Sequence, residues 1–158
     1  MSDGSGSHHD HGPSAGDVVE VTTPAATRLR EFHGHVGPYV VIGYRMGMAA
    51  RRILGTPGYF DLAAHLETPL APPPSCFIDG VQIGSGCTTG KRNLTVSEGE
   101  IARGTFTTRA GKSAVLALRP ELPGKIREWI ESEGVEATGA RLLELSDEDL
   151  FVVQGETD

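Results

Sequence analysis

Cysteine and aromatic residues are scarce in this chain: 158 residues hold two cysteines, one tryptophan and an aromatic share of 6%. Two cysteines cannot build the multi-bridge framework that staples small secreted domains. Positive charge is also short, with 14 Lys and Arg against 21 Asp and Glu and a formal net charge of -7. That balance excludes a general nucleic-acid binder, which needs a basic face. Long hydrophobic runs are missing. The longest, residues 38–50, carries Arg45 and falls short of the roughly 20 residues that span a bilayer. No apolar segment follows a basic start as in a secretory signal. The expectation is a cytoplasmic protein with neither a membrane nor a nucleic acid as partner.

What is present suits one domain, long enough to bury roughly two thirds of its unfolded surface. All basic residues except Arg141 lie between Arg28 and Arg127, while acids dominate from Glu128 onward. An acidic run of this kind reads as a solvated face, and a basic middle weakly favours an anionic ligand. Residues 1–17 are rich in Gly, Ser and His without apolar periodicity and read as a disordered tail ahead of a domain over 18–158. His8, His9 and His11 in it would gather metal ions without selectivity.

The rest of the chain is organised around Phe32-His33-Gly34-His35-Val36-Gly37-Pro38. In an extended segment residues two apart point the same way, so both imidazoles would face one pocket at the entrance of the following helix. Proline suits the first turn of that helix. The unprotonated ring is the form that binds a metal or accepts a proton. His33 and His35 are therefore the first candidates for a metal or small-ligand site.

A coarse reading places a helix from Thr23 and Pro24 to about Phe32, capped by the threonine, and a long one over 38–54 stopped by Gly55. Gly43 and Gly47 lie one turn apart on it, which predicts close approach of another helix, within the chain or across a dimer. Residues 61–68 alternate as a strand, Pro69 and Pro72-Pro73-Pro74 form a stiff connector, and Ser75 caps a short helix over 76–83. A polar loop over 87–93 leads to a hairpin, 101–109 and 113–119, turned by Ala110-Gly111-Lys112. An amphipathic helix over 122–133 follows, then 141–145 as helix or strand, a single turn capped by Ser146 and a last strand over 151–154. This mixed order predicts an α+β fold, an antiparallel sheet packed by helices.

Cys87 stands in a glycine-flanked loop with Lys91 four residues on, where a nearby ammonium would favour the thiolate. Cys76 reads as a core residue on a helix face. With a helix between them the two lie well over 10 Å apart, at ~1.5 Å per residue, too far for a disulfide. Residues 85–92 fail as a phosphate loop, because Ser85 and Arg92 replace the required glycine and the Ser or Thr. Asp79, one turn from Cys76, would ligate a metal or orient a histidine.

Together, Phe32-His33-Gly34-His35-Val36-Gly37-Pro38, Gly43-Tyr44-Arg45, Cys76-Phe77-Ile78-Asp79-Gly80-Val81-Gln82 and Gly86-Cys87-Thr88-Thr89-Gly90-Lys91-Arg92-Asn93-Leu94 resemble the FmdE family of formylmethanofuran dehydrogenase proteins. The resemblance runs from about Thr27 to the final strand. It implies an α+β core domain, commonly a homodimer, with a metal site, often zinc, built from the histidine motif and the glycine-cysteine-threonine loop. By motif, the metal candidates are His33, His35, Asp79 and Cys87, and Thr88, Lys91 and Tyr44 are candidates for holding a small anionic ligand.

Two departures stand out. Family members usually read His-Gly-His-x-Cys-Pro-Gly; here Gly37 replaces that cysteine and Tyr39 follows Pro38. A zinc site short of one thiolate keeps an open position or weakens. The Cys-rich zinc finger of some members has no counterpart, since no cysteine follows Cys87. No residue pattern matches a molybdenum or tungsten cofactor site, which argues against dehydrogenase activity by this chain alone. The leading expectation is a metal-binding protein, accessory to a redox or C1 enzyme or to metal handling. Space at Gly37 extends it to a metal-bearing cofactor such as haem with a histidine axial ligand. The alternatives are a metal- or thiol-dependent enzyme acting on a small anionic substrate, and a degenerate, non-catalytic interaction protein.

Overall fold

The computed structural model describes residues 23–157; the tail read over 1–17 lies outside them. Helix α1, Pro24–His33, starts where Thr23 Oγ1 accepts the Ala26 amide at 3.2 Å, and ends at Gly34 in the left-handed region, φ 99°. Helix α2, Pro38–Leu54, starts on Pro38 and stops at left-handed Gly55. Strand β1, Leu62–Thr68, buries Leu62, Ala64, Leu66 and Thr68 and turns Ala63, His65 and Glu67 outward, the alternation its sequence predicts. A 3-10 turn at Pro74–Cys76 leads into α3, Phe77–Ser85. Then come β2, Leu94–Glu98, β3, Arg103–Thr108, and β4, Ser113–Leu118. The chain closes with α4, Leu122–Glu133, α5, Val135–Glu144, α6, Asp147–Leu150, and β5, Phe151–Thr157.

The five strands form one sheet in the order β2-β1-β3-β4-β5. Its pairings are antiparallel except at one edge, where β2 runs parallel to β1 with Ala64 opposite Leu94. The fold is α+β as the element order implies, but the sheet is mixed where an antiparallel one was expected. The cause is local: α3 joins β1 to β2 as a crossover, the connection that parallel strands require. Strand β2 also went unread in the sequence. Leu94 is its only buried residue and Val96 is 37% exposed, so the edge strand carries little apolar alternation.

Helices α2 and α3 cross so closely that glycines fill both sides of the contact. A Cβ on Gly43 would fall 2.0 Å from the Phe77 carbonyl oxygen, and one on Gly80 would fall 2.0 Å from the Val40 carbonyl oxygen. Gly47 and Gly84 repeat the arrangement one turn on. The glycine pair on α2 is thus matched within the chain. Phe77, Phe106, Ile42, Met46, Leu66 and Leu116 are fully buried between the helices and the sheet. Arg45 reaches from α2 to the end of α5, donating to the Leu142 and Leu143 carbonyls at 2.9 Å each and to Asp147 at 3.0 Å. It thereby satisfies carbonyls that the helix end leaves without partners. Among the described residues, no helix is long and apolar enough to cross a membrane.

Candidate functional site

His33 and His35 do meet, but not along an extended strand. His33 is the last residue of α1, left-handed Gly34 reverses the chain, and His35 lies on the short link into α2. Their ring centroids stand 4.8 Å apart with planes tilted by 36°. Asp79, in the first turn of α3, places Oδ2 2.6 Å from His33 Nδ1. A carboxylate can only accept, so Nδ1 carries the hydrogen and the Nε2 lone pair remains for another partner. His33 is half-buried, and His35 is exposed with no hydrogen bond among the described residues.

Both rings line a cavity of about 400 Å³ whose other walls are Pro38, Tyr39 and Val40 of α2, the Pro72-Pro73 connector, Cys76, Ile130 and Val135. Gly37 lies in the same wall. A Cβ there would fall 2.9 Å from His35 Nε2 and 3.3 Å from Val135 Cγ1. The His35 ring therefore occupies the space that a side chain at position 37 would need. Cys76, read from the sequence as core, instead lines this cavity. Its place one turn before Asp79 was the available signal. Burial raises the Cys76 pKa, and the Asp79 charge raises it further.

Cys87 is elsewhere. It sits past the far end of α3, with about 9 Å of helix between Asp79 and Ser85 at the usual rise. Its Sγ donates to the Leu62 carbonyl at 3.3 Å, and its amide donates to Ser85 Oγ at 3.0 Å. The residue is fully buried in the core and does not line the histidine cavity. The expected convergence of the thiol loop on the histidines does not occur, because α3 holds the two motifs at its opposite ends. Burial raises the Cys87 pKa, against the smaller lowering effects of Ser85 and Lys91, so the ammonium does not make it a thiolate at neutral pH.

The loop is internally saturated as well. The Thr88 amide donates to Asn93 Oδ1 at 3.0 Å, the Lys91 amide to Thr88 Oγ1 at 3.1 Å, and the Thr89 amide to Gln82 Oε1 at 3.4 Å. Lys91 Nζ lies over the Tyr59 and Phe60 rings at 5.8 and 5.7 Å. Thr88 and Lys91 thus close the loop and do not frame an anion site. Tyr44 packs its main chain against Gly80 and Gly84 and lines neither the histidine cavity nor its neighbour.

The folded pKa of Cys87 lies above the unfolded one, so the stabilisation from the neutral thiol is complete below the unfolded value and is lost as pH climbs through the folded value. Thermal unfolding of Cys87→Ala is expected to show a shallower fall in Tm above about pH 8.5 than the parent chain. An unchanged slope would count against the buried, neutral thiol.

Among the described residues no three His, Cys, Asp or Glu side chains form a ready-made ion site. The geometry offers two imidazoles, one of them held by a carboxylate, beside a thiol on an apolar cavity. It brings together His33, His35 and Asp79, adds Cys76, and leaves out Cys87, Thr88, Lys91 and Tyr44.

Residues 32–152 match the family model described as FmdE, Molybdenum formylmethanofuran dehydrogenase operon. A curated relative from Archaeoglobus fulgidus, described as a probable S-adenosyl-L-methionine-binding protein, is 30% identical over 114 residues. That match takes in 68% of this chain but only 27% of the relative's length. A solved FmdE-like protein of the tungsten formylmethanofuran dehydrogenase from Syntrophus aciditrophicus superposes with a TM-score of 0.61 at 23% identity. It covers 84% of this chain and 71% of that one, and at that identity it speaks for the fold alone.

Proposed function

Because the chain belongs to the FmdE family, we propose that it is a metal-binding member whose ligands are the paired imidazoles of His33 and His35. The observation that carries the reading is Asp79 Oδ2 at 2.6 Å from His33 Nδ1, with the second ring 4.8 Å away on the wall of one cavity. A carboxylate on the far nitrogen of a ligating imidazole fixes its tautomer and raises its basicity. Cys76 is the thiol within this wall, in place of Cys87. Two imidazoles leave open coordination positions, and a space of about 400 Å³ suits a metal that brings ligands of its own. Zinc with a small molecule, or a metal-bearing cofactor such as haem, meets that description. The residues' part is then to hold the metal, orient His33 and keep water from the apolar side. An accessory place beside a redox or C1 enzyme, a homodimeric state and a cytoplasmic location complete the proposal. Neither thiol supports the nucleophile reading, since burial raises both pKa values.

The apolar character and size of the same cavity favour a second reading, an adenosyl-bearing ligand of the kind in the archaeal relative's name. Equilibrium dialysis separates the two. With His8, His9 and His11 changed to Ala in the full chain, zinc should bind at about one equivalent and be lost in both His33→Ala and His35→Ala. Zinc retained in both variants would overturn the metal reading. S-adenosyl-L-methionine retained in the absence of metal would favour the second.

A further inference from the structure

Behind Tyr39 lies another cavity, of about 250 Å³, between the proline connector and α4. Tyr39, Pro73 and Ile130 line both cavities, so the two share a wall. The floor is apolar, from Ile101, Ile126 and Leu118, while Arg127 and Glu100 also line it. Neither charge has a hydrogen bond or ion pair among the described residues, and they do not pair with each other. This is unlike Arg45, Arg103 and Arg141, each of which meets a carboxylate. A lone anion here would be repelled by Glu100, and a lone cation by Arg127. A dipolar group satisfies both.

Tyr39 adds a neutral donor. Burial raises its pKa and the Arg127 charge pulls it back, so the hydroxyl keeps its proton within reach of the guanidinium's field.

We propose that this cavity binds the zwitterionic α-amino-acid group of an apolar ligand, with the carboxylate on Arg127 and the Tyr39 hydroxyl and the ammonium on Glu100. The side chain of the ligand lies on Ile126, Ile130 and Pro73. Charge-assisted contacts fix the orientation, and the apolar floor selects against polar side chains. The inference stands apart from the metal proposal, because none of its charged residues touches the histidines.

Calorimetric titration of the full chain with L-phenylalanine, L-phenylalaninamide and N-acetyl-L-phenylalanine tests it without any variant. The zwitterion is expected to bind at least ~10-fold more tightly than either blocked form. Arg127→Gln and Glu100→Gln should each weaken it by about 10-fold, and Tyr39→Phe by less. Both charged residues are exposed, so the variants should retain the parent Tm and circular dichroism. Equal binding of the three compounds, no binding of L-phenylalanine at ~10 mM, or an undiminished affinity in both charge variants would each overturn the proposal. Zinc binding by Arg127→Gln should equal the parent's, so the two proposals fail separately.

Discussion

Gly80→Ala is expected to destabilise the chain by roughly 3–5 kcal/mol, enough to leave a substantial unfolded fraction at 25 °C. The added Cβ would meet the Val40 carbonyl oxygen at 2.0 Å, the Tyr44 nitrogen at 2.6 Å and Gly43 Cα at 2.9 Å. All three are backbone atoms of α2, so no rotamer change relieves the clash. The helices must part, and Phe77, Val40 and Val81 lose their packing. Alanine is the better helix former by about 1 kcal/mol, and that gain is too small to offset the separation. Gly124, on α4, supplies the control: nothing lies within 4 Å of a Cβ there. Gly124→Ala should therefore stabilise the chain by roughly 0.5–1 kcal/mol. Urea denaturation reads both. A Gly80→Ala midpoint equal to the parent's would contradict the contact between α2 and α3.

The second large effect concerns metal affinity. Asp79→Asn keeps the size of the side chain but removes the charge that holds His33 Nδ1–H. A loss of about 10–100-fold in zinc affinity is expected, the usual cost of deleting a carboxylate behind a ligating histidine. His33→Ala should lower it further, and Cys87→Ala should leave it unchanged, since that thiol donates to the Leu62 carbonyl away from the cavity. Competition against a chromophoric chelator measures all three. A zinc affinity of Asp79→Asn equal to the parent's would remove the carboxylate from the site. Loss of binding in Cys87→Ala with an unchanged fold would restore the loop to it.

Elements with strong local signals were legible in the sequence. Thr23 and Ser146 cap helices as their chemistry requires, with Ser146 Oγ accepting the Asp149 amide at 3.1 Å. The turn at 110–112 closes the hairpin through the Thr108 amide and the Lys112 carbonyl at 2.8 Å. Gly43 and Gly47 pointed to a close helix crossing. The partner glycines, Gly80 and Gly84, have the same four-residue spacing, which short helix α3 hid because Gly84 reads as a stop. Its true stop is left-handed Gly86. Helix α5 was only partly legible. It begins at Val135 directly after Gly134, without a side-chain cap, so its first half looked like the frayed end of α4. The last strand likewise runs on to Thr157 through exposed residues that carry no alternation.

The candidate site divides in the same way. His33, His35 and Asp79 come together because caps and helix starts place them, and caps are written in nearby residues. The choice between Cys76 and Cys87 is set by tertiary burial instead. Lys91 beside a glycine-flanked cysteine suggested a thiolate, but β1 covers the sulfur and desolvation outweighs the ammonium. The replacement of the family cysteine by Gly37 gains a physical reason only in three dimensions, where the His35 ring fills that space.

The most direct measurement is a nitrogen-15 imidazole spectrum of the full chain, with His8, His9 and His11 changed to Ala, recorded during zinc addition. His65 serves as an internal reference, since its two ring nitrogens already meet Thr95 Oγ1 at 2.7 Å and Ser97 Oγ at 3.0 Å. The expected result is that the His33 and His35 ring signals move together at stoichiometric zinc while those of His65 stay in place. Bound zinc with both pairs of signals unmoved would contradict a metal site at the paired histidines.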